Sequence, residues 1–233
     1  IGMRGLIAVV GLGLLVLATR AYRFRMNRRD IGLILLRSMA DVAATVTFLT
    51  ALLHMPLANL SAILQALPLL ITLGAAVVYG DKIGWRRLTA ILVGLVGVLI
   101  IIRPGTEGFD RWALLGIASV AFVVVRDLSV RPLQGQVPSA LVALGAAVAV
   151  TVMGWVGAGL QGVEPVSATE AAKVLAAGLC LIVGYLSSVM AMRTGDIGLV
   201  APFRYTSLLW AIVLGLLVFG DLPDIWTLLG ASI

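Results

Sequence analysis

The stretch Ile197–Phe219, IGLVAPFRYTSLLWAIVLGLLVF, decides how the rest of the chain is read. At ~1.5 Å per residue it is long enough to cross a hydrocarbon layer of roughly 30 Å. It nevertheless carries Arg204, about 10 Å inside that layer by the same rise. A charge at that depth costs on the order of 3 kcal/mol or more, which marks a functional site by default. Pro202 has no N–H to donate, so the Gly198 carbonyl loses its helical partner and the helix is expected to kink. Tyr205 and Trp210 add aromatic surface, and Thr206 and Ser207 add hydroxyls. A bent helix with a buried cation, a freed carbonyl and aromatic rings suits the wall of a solute site. The alternative is that Arg204 ties helices together through an acidic partner.

The composition agrees with a membrane reading. The 233 residues are 61% hydrophobic and 12% charged, with a mean hydropathy of +1.11. A soluble domain would need about twice that charge to cover its surface. Apolar runs of roughly 17–24 residues recur along the chain, as in a polytopic α-helical membrane protein. The net charge of +6 comes from basic residues that flank these runs, which reads as a topology signal rather than as phosphate contacts to nucleic acid. The single cysteine, Cys180, excludes a disulfide within the chain.

Spans are expected at 3–20, 31–54, 57–79, 88–103, 112–130, 138–160, 170–192 and 197–219, with a ninth opening near Pro223. Alternate loops carry Arg20, Arg23, Arg25, Arg28 and Arg29, then Lys82, Arg86 and Arg87, then Arg126 and Arg131, then Arg193. These loops should face the cytoplasm. The intervening loops hold Glu107, Asp110, Glu164, Glu170, Asp221 and Asp224, with few basic residues. Trp85, Trp112 and Trp226 fall at expected span ends, where indole favours the headgroup layer.

An offset of 140 residues aligns the chain with itself. Val78–Tyr79–Gly80–Asp81 lies over Val218–Phe219–Gly220–Asp221, and spans 31–54 and 57–79 map onto 170–192 and 197–219. An odd number of crossings separates each span from its copy, so the copies should run in opposite directions. Inverted repeats of this kind are common in secondary transporters, with the solute site near the midplane. Shifted back by the offset, span 112–130 lands upstream of Ile1. The reading therefore expects a further apolar helix before Ile1, ten in all, with both termini cytoplasmic and most of the last helix missing. It also expects that the chain without that helix transports poorly.

Several motifs carry a family resemblance. Ala51–Leu52 closes one span, Pro56 and Ala62 head the next, and Pro68 lies midway along it. Gly80–Asp81 follows at the turn, then Arg103–Pro104–Gly105. The stretch VAPFRYTSLLWA followed by FGDLPDIWTLLGA, Val200 to Ala231, matches the corresponding part of a second copy. Together with Leu36–Arg37–Ser38, these resemble the EamA domains of the drug/metabolite transporter superfamily. The resemblance implies a five-plus-five inverted repeat, with residues 1–105 forming helices 2–5 of the first copy and 106–233 forming helices 6–9 and the start of the tenth. It also implies alternating-access transport of small metabolites across a bacterial inner membrane. Asp81 and Asp221 stand where the family usually has Glu, and Asp41 stands where a small apolar residue is usual.

The candidate solute-binding residues are Arg204, Arg37, Asp41, Tyr205, Gln65, Trp210 and Asn59, with Pro202 and Pro68 as expected kinks. Arg37 lies seven residues from Asp30, at a depth comparable to that of Arg204, and Asp41 shares its helix face at i,i+4. A guanidinium grips a carboxylate in bidentate fashion, and a carboxylate opposite holds an ammonium. The trio therefore suits a zwitterion such as an amino acid. Neutralisation of Arg37 by Asp41 within one helix is the structural alternative. Gln65 and Asn59 could instead bond helix to helix. His54 is expected at an outer membrane interface. Gly94, Gly97, Gly154 and Gly157 are expected to allow close helix packing, and Gly80 and Gly220 to end helices.

The expected function is a secondary exporter or exchanger of amino acids or related amines and carboxylates. Riboflavin or S-adenosylmethionine uptake is the alternative, and a membrane acyl- or phosphotransferase is a weaker one. No P-loop is present, and one His with one Cys cannot build a metal centre of the usual kind. No cofactor or metal is expected. The expected partners are a small solute and the lipid bilayer, with a homodimer left open and no nucleic acid.

Overall fold

The computed structural model describes residues 2–81, 84–102, 111–133, 137–161, 167–194 and 206–219, with residues 225 and 229. These residues are helical almost throughout and form no strand. The helices are α1 (Gly2–Ala18), α2 (Arg28–Leu52), α3 (Leu57–Leu64), α4 (Leu67–Tyr79), α5 (Trp85–Ile102), α6 (Ala113–Leu128), α7 (Ser139–Gln161), α8 (Ala168–Thr194) and α9 (Thr206–Leu214). A π-helical turn, Gly215–Phe219, continues α9. Among the described residues, five stretches are long and apolar enough to cross a membrane: Arg28–Leu52, Asn59–Tyr79, Ala113–Leu133, Ser139–Gly159 and Ala168–Ala191. In a bilayer only helices satisfy every backbone group within one segment. The chain is an all-α polytopic membrane protein.

Its helices fall into two compact units. The first joins Ile1–Val42 with Ser129–Gly195. In it, α1 packs along α7 and α8. The contact face of α1 is small: Gly2, Gly5 and Ala8 are buried, and a Cβ on Gly5 would meet the Thr151 hydroxyl of α7. Gly11 leaves similar room for Ile182 of α8. Backbones can approach this closely only where side chains are absent, and the gain is dispersion contact, since lipid offers no hydrophobic drive between helices. Ala8, Leu12, Val142, Ala143, Ala147 and Val189 form the core of this unit, with Val130, Leu133 and Val137 beside them.

The second unit joins Ala43–Leu128 with Asp196–Ile233. Here α3 packs against α5, α6 and α9, and α4 against α5 and α6. The sequence suggests one span over 57–79, and the structure divides it. α3 ends at Leu64, Gln65 and Ala66 form a turn, and α4 begins at Leu67 with Pro68 as its second residue. Proline cannot donate to the carbonyl four residues back, and its ring clashes there, so the ladder is interrupted at Leu64. Gln65 and Ala66 bond back to the carbonyls of Ala62 and Ile63 in the tighter i→i−3 pattern. Gly80 closes α4 in the left-handed region at φ 71° with its N–H on the Ala76 carbonyl, the helix ending expected of it.

Helix bounds elsewhere move by a few residues from the expected spans. α2 starts at Arg28 rather than 31 because Asn27 and Asp30 exchange hydrogen bonds at its head. α8 starts at Ala168 rather than 170 because Ser167 and Glu170 do the same. Gly94 and Gly154 pack as expected: a Cβ on Gly94 would meet Leu69 of α4, and Gly154 is buried. Gly157 departs from the expectation, with nothing among the described residues within 4 Å of its Cβ position. The glycine pattern alone did not say which face of α7 meets a neighbour.

Candidate functional site

In the first unit, polar residues concentrate on one stripe of α2. Asp30, Arg37, Ser38 and Asp41 are all buried, while Leu35, Leu36 and Met39 on other faces are exposed. The spacing of three and four residues puts the buried group on a single helix face. Apolar residues thus turn toward lipid and charges turn toward protein, the arrangement expected of ionisable groups that a membrane span keeps for a purpose. Arg37 is 1% exposed and is among the largest fully buried side chains, and Asp41, one turn on, is 4% exposed. Burying a guanidinium is tolerable only where acceptors surround it.

Ser38 stands between them along the chain. Its hydroxyl is buried and has no hydrogen-bond partner among the described residues. α7 passes close by: a Cβ at Gly145 would lie 2.9 Å from Ile34 Cγ2 and 3.6 Å from Ser38 Oγ. Leaving a buried hydroxyl unbonded costs about 1–3 kcal/mol, so such groups call for a water, a ligand or a role in strain. A lone serine beside a charged residue carries no spacing signal, so Ser38 is not legible as a candidate in the sequence alone.

The second unit holds other candidates. Asn59 lies on α3 and Gln65 at the break, both half-buried, and Ser61 between them is buried. Thr72 donates to the Pro68 carbonyl at 2.8 Å, engaging an acceptor just after the break. Trp210 on α9 is 66% exposed. Arg204, Tyr205 and Pro202 lie outside the described residues.

Three further polar features were not singled out from sequence as parts of a site. Ser119 of α6 donates to the Ala44 carbonyl of α2 at 3.1 Å inside the bundle. Arg126 Nε meets Asp127 Oδ1 at 2.9 Å, with the Asp127 side chain fully covered. Tyr79 donates to the Leu128 carbonyl at 2.7 Å, tying the end of α4 to the end of α6. At the other end of α6, the His54 ring stacks on Trp112 with centroids 3.7 Å apart and planes 17° from parallel. Arg111 lies over the same indole at 4.9 Å. Among the described residues, no group of three or more His, Cys, Asp or Glu is placed to hold a metal.

No protein-family model matches the chain. It is similar to several curated bacterial transporters. The pseudopaline exporter of Pseudomonas aeruginosa is 25% identical over 229 residues, covering 96% of this chain and 79% of that protein. The riboflavin transporter of Vibrio cholerae is 27% identical over 218 residues, covering 93% and 73%. The S-adenosylmethionine uptake transporter of Rickettsia prowazekii is 24% identical over 190 residues, covering 76% and 60%. A solved crystal structure with 19% identity superposes with a TM-score of 0.71 over 99% of this chain and 84% of that one, a likeness of fold.

Proposed function

We propose that the chain is a secondary carrier of the drug/metabolite transporter type, moving small polar metabolites across a bacterial inner membrane by alternating access. Amino acids or related amines and carboxylates are the solute class this reading favours. The observation that carries it is the buried stripe of α2. Arg37 offers a bidentate grip for a carboxylate, Asp41 a counter-charge for an amine, and Ser38 an open hydroxyl. Relatives that export or import metabolites support the transport reading. Arg204, Tyr205, Gln65, Asn59 and Trp210 of the second unit are further proposed solute contacts, and a five-plus-five inverted repeat is the proposed machinery. Riboflavin or S-adenosylmethionine uptake is the second reading, favoured by two of the relatives' activities.

A screen of amino acids, polyamines, carboxylates, riboflavin and S-adenosylmethionine by thermal shift on purified protein tests the solute class. Arg37→Ala and Arg204→Ala serve as controls. The best ligand should stabilise the wild type and lose most of that shift in both variants. Equal stabilisation of all three proteins removes the arginines from the site. Counterflow of the labelled ligand in proteoliposomes then distinguishes a carrier from a channel.

A further inference from the structure

The turn that joins α1 to α2 carries Arg20, Arg23, Arg25, Arg28 and Arg29 within ten residues, with no lysine among them. All five are exposed. The segment is structured rather than loosely draped. Arg20 adopts the left-handed conformation at φ 54°, which folds the chain back at the end of α1. A short 3₁₀ turn, Ala21–Arg23, then packs against α1 and α7. Ala21 is buried and Phe24 packs against the core of the first unit. With Ala21, Phe24 and Asp30 turned inward, the arginines between them are turned out.

None of these five guanidiniums is paired with an acid among the described residues. The nearest acid, Asp30, is buried, and it accepts from the Asn27 N–H at 3.2 Å in the helix cap. Among the described residues the patch is therefore uncompensated positive charge. It lies between the apolar end of α1 and the apolar body of α2, where a pair of membrane-spanning helices would meet the headgroup layer. Tyr22 and Met26 are exposed at the same level. Tyrosine favours that layer because its ring is apolar and its hydroxyl is wet.

We propose that this turn is a docking surface for the phosphate groups of anionic glycerophospholipids in the leaflet it faces. Guanidinium forks match phosphate oxygens two at a time, and clustered cations beside a membrane span recruit anionic lipid. Arg28 and Arg29 belong to α2, so a lipid held there also holds the helix that carries Arg37. The surface acts whether or not the chain is a carrier.

The test uses the purified full chain in phosphatidylcholine vesicles containing a minor fraction of phosphatidylglycerol. Spin-labelled versions of each lipid report the motionally restricted fraction at the protein. The wild type should select phosphatidylglycerol several-fold over phosphatidylcholine. Arg23→Gln with Arg25→Gln should remove most of that several-fold selection, since each cation near an anionic surface is worth about 1 kcal/mol, while the Lys pair at the same positions should keep most of it. Both pairs leave Arg20, Arg28 and Arg29 to hold topology. A Lys82→Gln, Arg86→Gln control on another basic loop should change it less. Salt of about 1 M, where the Debye length is about 3 Å, should abolish the selection without any variant. Unchanged selection in the Gln pair, an equal loss in the control, or selection that survives the salt overturns the proposal.

Discussion

Asn27 and Ser167 stand 140 residues apart and perform the same act: each opens a helix by a reciprocal pair of hydrogen bonds with the acid three residues on. Asn27 accepts from the Asp30 N–H at 2.9 Å, and its own N–H donates to the Asp30 carboxylate at 3.2 Å. Ser167 accepts from the Glu170 N–H at 3.3 Å and donates its N–H to Glu170 at 2.8 Å. Neither residue is shared between the two caps, yet the motif falls at the offset that aligns VYGD with VFGD. A capping box satisfies two backbone donors at once, so it can persist at a helix start while its letters change.

If the two halves are inverted repeats, these caps lie on opposite faces of the membrane. Single cysteines introduced at Asn27 and Ser167, in a Cys180→Ala background, should react with an impermeant maleimide from opposite sides of oriented vesicles. Labelling of both from one side would end the inverted reading.

The caps should also differ in weight. Asn27→Ala removes an acceptor beside a buried carboxylate and should destabilise the first turn of α2 by about 1 kcal/mol. Amide exchange at the Asp30 N–H would then quicken about fivefold, with Asn27→Ser restoring protection. Ser167→Ala, in an exposed turn, should change exchange at the head of α8 less. Equal protection in Asn27→Ala and wild type would remove the cap from the energetics.

Glycine substitutions give a graded series. A Cβ on Gly5 meets Thr151 Oγ1, with Thr151 Cα 3.3 Å away, so Gly5→Ala presses on backbone and should cost on the order of 1–3 kcal/mol. Gly145→Ala meets the Ile34 Cγ2 methyl at 2.9 Å, a side-chain atom with no backbone atom beside it, and should cost less. Gly157→Ala meets nothing among the described residues within 4 Å and should stabilise α7 by about 0.5–1 kcal/mol. Thermal unfolding in detergent would rank the three, and a reversed order would contradict the packing of α1 on α7.

The His54–Trp112 stack should show as coupling. His54→Ala and Trp112→Ala, singly and together, should give an interaction energy of about 0.5–1.5 kcal/mol in a double-mutant cycle. Additive losses would mean that the rings touch without holding the end of α2 to the start of α6.

Ser38 separates a binding role from a packing role. Removing an unbonded buried hydroxyl should leave stability unchanged or raise it. If the hydroxyl touches solute, Ser38→Ala should still weaken ligand binding several-fold, and Ser38→Thr should recover part of it. Full affinity in a stable Ser38→Ala protein would exclude Ser38 from the proposed site.

The spans were readable because apolar runs of bilayer length are a strong signal in one dimension. The burial of Arg37 and Asp41 could be anticipated from the cost of facing lipid with a charge. Pro68 announced a disturbance, but the break lies at Gln65 and Ala66, because the missing bond belongs to the carbonyl behind the proline. Contacts that join distant parts of the chain were not readable. His54 meets Trp112, Tyr79 meets the Leu128 carbonyl, and Gly145 faces Ser38 only through tertiary packing, which no periodicity encodes.

The broken span has a mechanical consequence. A continuous helix is a rod that passes twist from end to end through its ladder of hydrogen bonds. With the ladder cut at Leu64, α3 and α4 are two short levers on one joint, and a rotation of one need not be delivered to the other. Their neighbours grip them separately. Leu60 and Ile63 of α3 fit over Gly116 of α6, while Leu69 of α4 sits over Gly94 of α5, and Gly74 of α4 receives Leu128. At about 12 Å for its eight residues, α3 is less than half a bilayer deep. A displacement of α3 therefore reaches α4 through the side chains of α5 and α6, which both halves touch, rather than through a continuous backbone.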